Sequence, residues 1–409
     1  MTANKERIEQ HIELLGQFTA TPGQGVTRLT YSKEDLQARN YIKEKMAAYG
    51  LQVSEDGFGN IFGKLEGTLK DAPSVIVGSH FDSVPNGGAY DGTAGVVIGL
   101  EVAALFQELQ LTPDYPLEVL AMVEEEGSRF GGGLMGSRGM MGVMIEEDFT
   151  AVADKDGILA TDAMAAIGLD PSKEKIRRPE TIKAFLELHI EQGPILEEKG
   201  IRIGVVEAIV GLVQLEVTVQ GRAGHAGTTP MDRRSDALVS AAQLIAAFPQ
   251  LAKETGNGTV ITTGRLQVFP NGANVIPDKV VFSVDIRAGK EEHIQHALDR
   301  VKELVASHNG VDGIHTIADQ LMSIEPKELD PEIRGLFKNI SEELAIPYCT
   351  MNSGAGHDAM VLSDFTACGM VFVPSKDGLS HCPEEWSDAE HLADGATILF
   401  EAVKRLAVE

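Results

Sequence analysis

The chain has 409 residues, 43% hydrophobic and 23% charged, which is ordinary globular composition with enough apolar material for two or three domains. Lysine and arginine total 35 against 61 aspartates and glutamates, a formal net charge of −26 that repels phosphate backbones and anionic lipid and so disfavours nucleic-acid or membrane-surface partners. Cys349, Cys368 and Cys382 are too scattered for a disulfide framework or zinc ribbon, and neither a signal peptide nor a bilayer-spanning run is present, so a cytoplasmic location is expected.

The first residues place Ile8, Ile12, Leu15 and Phe18 on one helical face. Ser32 to Tyr49 reads as a second helix, with Ser32 as N-cap and Glu34 and Asp35 in its first turn. Ser74–Ser79 and Leu117–Val123 are short apolar runs suited to buried parallel strands, and Thr93 to Leu109 between them reads as helix. Near Gly211 the pattern changes: Leu212 to Gln220 alternates apolar and polar, as an antiparallel strand with one wet face does. A helix (Ser235 to Phe248), two strands (Thr259 to Val268, Lys279 to Arg287), a helix (Glu291 to Ser307) and a strand (Gly313 to Asp319) complete a split β-α-β-β-α-β order. From about Pro326 the α/β character returns, with a helix from Asp330 to Leu344, strands near Tyr348–Asn352 and Gly369–Val373, and a closing helix from Asp388. The expected architecture is an α/β catalytic domain in two parts, 1–211 and 326–409, interrupted by a smaller α+β domain over 212–325.

The chemistry concentrates at strand exits. Gly78-Ser-His-Phe-Asp82 leaves a buried strand at its carboxyl end, where open α/β sheets build their sites. An H-x-D pair can set Asp82 against the free N–H of a metal-bound His80, and Asp91 follows in a small-residue loop. Taken alone, a hydrogen-bonded core histidine and an Asx-turn aspartate explain these residues equally well. The second strand shifts the balance. It ends in Glu124-Glu-Glu-Gly-Ser-Arg-Phe130, three carboxylates whose burial together is costly unless a cation is present, so Glu125 is assigned as general base and Glu126 as metal ligand. Gly131, Gly133 and Gly136 then match G-x-G-x-x-G, but a lone match beside an acidic triplet is poor ground for a pyrophosphate, and dinucleotide binding is rejected. His189 stands in Leu186-Glu-Leu-His-Ile-Glu-Gln-Gly-Pro194, a strand running into turn residues; a lone histidine there is more often structural. His381 lies in the loop after another strand, and Cys382 beside it could compete as a soft ligand.

The order His80, Asp91, Glu125-Glu126, His189, His381 resembles the two-metal aminoacylase- and carboxypeptidase-like amidohydrolases. Glu124-Glu-Glu-Gly-Ser-Arg-Phe130, Leu188-His-Ile-Glu-Gln-Gly-Pro194 and His225-Ala-Gly-Thr-Thr-Pro-Met231 resemble the branch of N-carbamoyl-L-amino-acid hydrolases, allantoate amidohydrolases and β-ureidopropionase, over essentially the whole chain. The resemblance implies a zinc-exopeptidase-like catalytic domain with a mixed sheet and a ferredoxin-like lid domain through which a homodimer forms. It implies that Asp91 bridges two divalent ions (manganese, cobalt, nickel or zinc), with His80 and His381 on separate ions, Glu126 accompanying one and His189 the other. Glu125 would then deprotonate a water held between the ions. His225 would reach the neighbouring subunit's site and stabilise an oxyanion, and Asn274 and Arg287 would hold the substrate carboxylate. Gln192, Gln214 and the Gly354-Ala-Gly-His357 loop, through Gly356 and His357, are further contacts; without the resemblance Arg287 reads as a surface ion pair with Asp285 or Glu291.

The implied reaction converts N-carbamoyl-L-amino acids to L-amino acid, carbon dioxide and ammonia. Allantoate offers the same ureido group near a carboxylate and is the nearest alternative; Gln214, in the apolar-rich run Val210 to Leu215, suits the less polar pocket of the first reading. An aminoacylase or dipeptidase is opposed by His189, where many peptidases are expected to use a carboxylate. A metal-free binding or dimerisation protein is opposed by retention of Glu125 and all the proposed ligands. His293 and His296 read as solvated, and His11, His308, His315 and His391 join no constellation.

Overall fold

The computed structural model describes residues 2–173 and 176–408. The chain divides into two compact units, Met1–Glu207 with Leu329–Met351 and Gly356–Glu409, and Ala208–Glu328 with Asn352–Ala355.

The first unit is built on strands β1 (Gln52–Glu55), β2 (Ile61–Leu65), β3 (Ser74–His80), β4 (Leu117–Met122), β5 (Ile182–Ile190), β6 (Ile203–Ile209) and β7 (Cys368–Val373), ordered β1-β2-β4-β3-β5-β7-β6. The inner pairs β4/β3, β3/β5 and β5/β7 are parallel and the outer ones antiparallel, which makes the sheet mixed. β3, β4 and β7 are buried at every residue, the reason their sequences are mostly apolar and lack a polar/apolar alternation. The helix Thr93–Glu108 packs on β3 between Lys5–Gly16 and Ala389–Ala407. It is apolar almost all round because it is buried almost all round. Its one buried charge, Glu101, is matched by Arg7 at 2.6 Å. Ser32 caps the helix Lys33–Ala48 by accepting from Asp35 N–H at 3.2 Å. Three short helices, Met135–Met140, Glu146–Ala151 and Ala160–Ala166, have too few turns to carry a readable hydrophobic period.

The second unit is a sheet in which Leu266–Phe269, Lys279–Ala288, Gly211–Gln220 and His315–Ile324 lie side by side, all antiparallel, with Val260–Thr262 also on Lys279–Ala288. Helices Ala237–Thr255 and Glu291–Ser307 cover one face, and the alternation of Gly211–Gln220 puts Val213, Leu215, Val217 and Val219 beneath them. This is the split β-α-β arrangement. The expected strand Thr259–Val268 is two pieces, Val260–Thr262 and Leu266–Phe269. The first helix also runs through Pro249 to Thr255: Phe248, Leu251 and Ala252 are buried in this unit's core, and their packing outweighs one lost backbone bond. The last strand continues to Ile324 along an exposed edge where little alternation remains to mark it. No helix among the described residues is long and apolar enough to cross a membrane.

The core of the first unit is close-packed, so truncation inside it leaves a cavity. Phe106, fully buried and edge-on to Phe400 at 5.6 Å, should lose about 3–5 kcal/mol on mutation to alanine. Leu109→Ala, at an exposed helix end, should cost under about 0.5 kcal/mol; urea unfolding followed by circular dichroism compares the two.

Candidate metal centre

The parallel strands β3, β4, β5 and β7 all point their carboxyl ends the same way, and each exit supplies a polar group. His80 is the last residue of β3, Glu125 and Glu126 follow β4, His189 is the penultimate residue of β5, and the loop after β7 brings His381. Asp91 stands just before the helix Thr93–Glu108. Two triplets result, His80–Asp91–His189 and Asp91–Glu126–His381, each with ligand atoms within 4.8 Å of one another and both sharing Asp91. Asp91 Oδ1 is 3.5 Å from His80 Nε2 and 3.1 Å from His189 Nε2, and Oδ2 is 3.1 Å from His381 Nε2. Glu126 Oε1 lies 3.5 Å from His381 Nε2. Cys382 belongs to neither triplet among the described residues.

Backbone carbonyls set the imidazoles. His80 Nδ1 is 3.2 Å from the Asp82 carbonyl and His189 Nδ1 is 2.9 Å from the Ile190 carbonyl, so each ring donates Nδ1–H to a carbonyl and turns Nε2 toward Asp91. The Asp82 carboxylate is 3.6 Å from His80 Nδ1, where it helps to raise that imidazole, and it has a second task. It accepts the backbone N–H groups of Glu125 (3.1 Å) and Glu126 (3.3 Å) and so fixes the acidic turn against β3. Gly92 completes the cradle. Its φ is 59°, and a Cβ there would lie 2.2–2.4 Å from the His80 ring.

The electrostatics explain what this arrangement lacks. Burial pushes Glu125 well above the usual carboxylate range, His80 opposes that, and Asp358, Glu126 and Asp82 add to it. Burial and then Asp91 raise Glu126 to about 7. Asp91 resists burial because His189, His381 and His80 hold it well below the ordinary value. The hydrogen bond to Asp91 is the main reason His381 is raised to about 9. Among the described residues no lysine or arginine pairs with Asp91, Glu125 or Glu126. Glu126 Oε1 is buried without a hydrogen-bond partner. An orphaned carboxylate oxygen among imidazole nitrogens is a donor set that fits borderline divalent ions.

Around this centre, Gln192 donates to Asp91 Oδ2 at 2.8 Å. His357 is buried edge-on against His189, ring centroids 4.5 Å apart, behind that ring rather than on an open wall. At Gly356 nothing would meet an added Cβ. The glycine run that imitates a dinucleotide motif folds back on the acidic turn: Leu134 N–H reaches the Glu125 carbonyl at 2.9 Å, and the Glu124 side chain accepts from Phe130 N–H at 2.7 Å. Its glycines serve a tight turn with positive φ at Gly127, Gly131, Gly132 and Gly133. Sequence reasoning missed Glu385, which binds the backbone of Asp91; the only signal was an acid four residues beyond His381.

The second unit holds two further groups of the expected residues. His225 lies in a short ribbon, Gly224–His225 paired with Val275–Ile276, and the Asn274 carbonyl accepts from Ala226 N–H at 3.0 Å. His225 Nδ1 accepts from Gly227 N–H at 3.0 Å, which leaves its exposed Nε2 as the N–H donor. Arg287 binds Asp285 at 2.8 Å and the Gly354 carbonyl at 3.0 Å, and Gln214 donates to the same Asp285 at 3.1 Å. Arg287 and Gln214 line one cavity.

Comparison with known proteins agrees with this geometry. The model of peptidase family M20/M25/M40 matches residues 76–405. An N-carbamoyl-L-amino-acid amidohydrolase of Paenarthrobacter aurescens is 43% identical over 406 residues, covering 99% of this chain and 98% of its own. An allantoate amidohydrolase of Bacillus subtilis (strain 168) is 38% identical over 408 residues, covering 98% of each. The crystal structure of a putative amidohydrolase/peptidase from Burkholderia cenocepacia superposes with a TM-score of 0.94 at 33% identity over the full length of both chains. Strand exits, ligand order and whole-length relatives converge: the chain belongs to peptidase family M20/M25/M40, in its N-carbamoyl-L-amino-acid amidohydrolase branch.

Proposed function

We propose that the protein hydrolyses N-carbamoyl-L-amino acids to L-amino acid, carbon dioxide and ammonia, with two divalent ions (manganese, cobalt, nickel or zinc) at His80, Asp91, Glu126, His189 and His381. The observation that carries this reading is the pair of triplets sharing Asp91, with Glu125 Oε2 3.8 Å from His80 Nε2 beside them. When bound, the ions polarise the ureido carbonyl and acidify a water. Glu125 takes the proton of the attacking water and delivers it to the departing nitrogen; its buried surroundings, which favour the protonated form, suit a group that must hold a proton for part of each turnover. Asp82 keeps Glu125 and Glu126 in register, and His225 presents Nε2–H to the oxyanion in the site of the neighbouring subunit. Arg287 and Asn274 anchor the substrate carboxylate, the guanidinium oriented by Asp285, with Gln192, Gln214, Gly356 and His357 as lesser contacts.

The homodimer forms through the second unit. In support, His315–Ile324 is an edge strand exposing Ile317, Leu321, Met322 and Ile324, a combination of open backbone and apolar side chains that soluble monomers avoid. A second substrate reading, allantoate, is favoured by the 38% identical allantoate amidohydrolase. Against it, Gln214 is neutral and already engaged with Asp285, so it offers no added positive charge to a polar substrate.

Ammonia release from N-carbamoyl-L-methionine, its D-enantiomer, allantoate and N-acetyl-L-methionine, assayed on metal-loaded enzyme, should be fastest with the first; faster release from allantoate overturns the substrate assignment. Glu125→Gln should keep the parent's metal content by elemental analysis while kcat falls by roughly 100-fold or more. Mixing and refolding inactive His225→Ala with inactive Glu125→Gln subunits should regain activity, because one site of each hybrid dimer then has both groups intact; a mixture as inactive as its components would place His225 in its own subunit's site.

A further inference from the structure

The loop after β7 carries a carboxylate that the proposed reaction does not use. Glu385 is only 4% exposed, and its Oε1 accepts the backbone N–H groups of Tyr90 (2.9 Å) and Asp91 (3.0 Å). Its Oε2 lies 2.8 Å from Ser380 Oγ, and the same hydroxyl lies 2.9 Å from Asp91 Oδ2. Trp386 packs edge-on against Tyr90 at 5.4 Å, adding an apolar contact along the same seam. The segment opposite keeps room for the acid: a Cβ on Gly88 would stand 2.0 Å from Glu385 Oε1. No lysine or arginine pairs with Glu385 among the described residues, so two backbone donors and one hydroxyl carry the whole compensation for its burial.

The two triplets differ in what holds them. His80 and His189 sit on strands, with rings fixed by the Asp82 and Ile190 carbonyls. His381 is on a loop, its side chain 48% exposed, and no carbonyl is bonded to its ring among the described residues. We propose that Glu385 is a positioning residue of the metal centre: it ties the Asp91 segment to the His381 loop and thereby sets the affinity for the ion at Asp91, Glu126 and His381, more than for the ion at His80, Asp91 and His189. Loss of such an outer partner typically costs about 10–100-fold in metal affinity. This inference rests on the two-ion reading of the site.

The test is calorimetric titration of manganese(II) into the chelator-stripped full-length chain, for the parent, Glu385→Gln and Ser380→Ala. Expected are two ions per parent chain and, in both variants, one ion bound as in the parent and one weakened about 10–100-fold; at limiting metal kcat falls, KM holds, and excess metal restores turnover. Two ions bound by the variants as tightly as by the parent would overturn the proposal, as would equal weakening of both, which marks a general structural role. A parent chain that binds no ion would remove the two-ion reading itself, and this inference with it. If Glu385→Gln does not fold by circular dichroism, Ser380→Ala decides the matter, since it removes the hydroxyl beside His381 that joins Glu385 to the Asp91 carboxylate while leaving the Tyr90 and Asp91 N–H bonds in place.

Discussion

Everything at the strand exits turns on one buried aspartate that three imidazoles surround. Asp91 is 6% exposed and has no lysine or arginine beside it among the described residues, yet it shares its pocket with Glu125 and Glu126. Carboxylates crowded together in a dry site are stable only if protons or cations divide them. The histidines supply part of that compensation, and the orphaned Glu126 oxygen marks where it is incomplete. A bound divalent metal would complete it beside Asp91, and what is a cost to folding would then become binding energy for metal.

The fold brings these groups together by repeating one device. Parallel strands deliver their last residues to a common edge, and several of the polar groups there are then aimed by backbone groups rather than by other side chains. Carbonyls orient His80 and His189, backbone N–H groups hold Asp82 against the acidic turn, and two more hold Glu385 against Asp91. Backbone partners cannot swing away as long side chains do, which is how a site on loops keeps the precision of one on strands.

Close packing has a sequence cost that explains the misleading glycines. Gly92 is bare because the His80 ring fills the space a Cβ would take, and Gly127 to Gly133 make a turn that folds back over Glu125. A run of glycines beside a strand resembles a phosphate loop because both are tight turns; the acids next to it are what tell them apart.

His80 and Glu126 were legible in the sequence as candidate ligands because each falls at the end of an apolar run, where an α/β sheet must place its polar groups, and because three carboxylates in a row at such an end have no comfortable structural reading; Asp91, His189 and His381 joined them only through the family resemblance. The alternation of Leu212 to Gln220 likewise announced a second kind of sheet, since one wet face imposes a period of two. The break of Thr259–Val268 and the continuation through Pro249 were not legible, because burial against distant residues overrides local propensity there. The same holds for Asp82 and Glu385. Which atom an acid binds depends on groups that meet only in space, Asp82 with a turn some forty residues on and Glu385 with an N–H 294 residues away. Residue type and position along the chain determined the chemistry on offer; only folding, by choosing the neighbours, decided what each charge does.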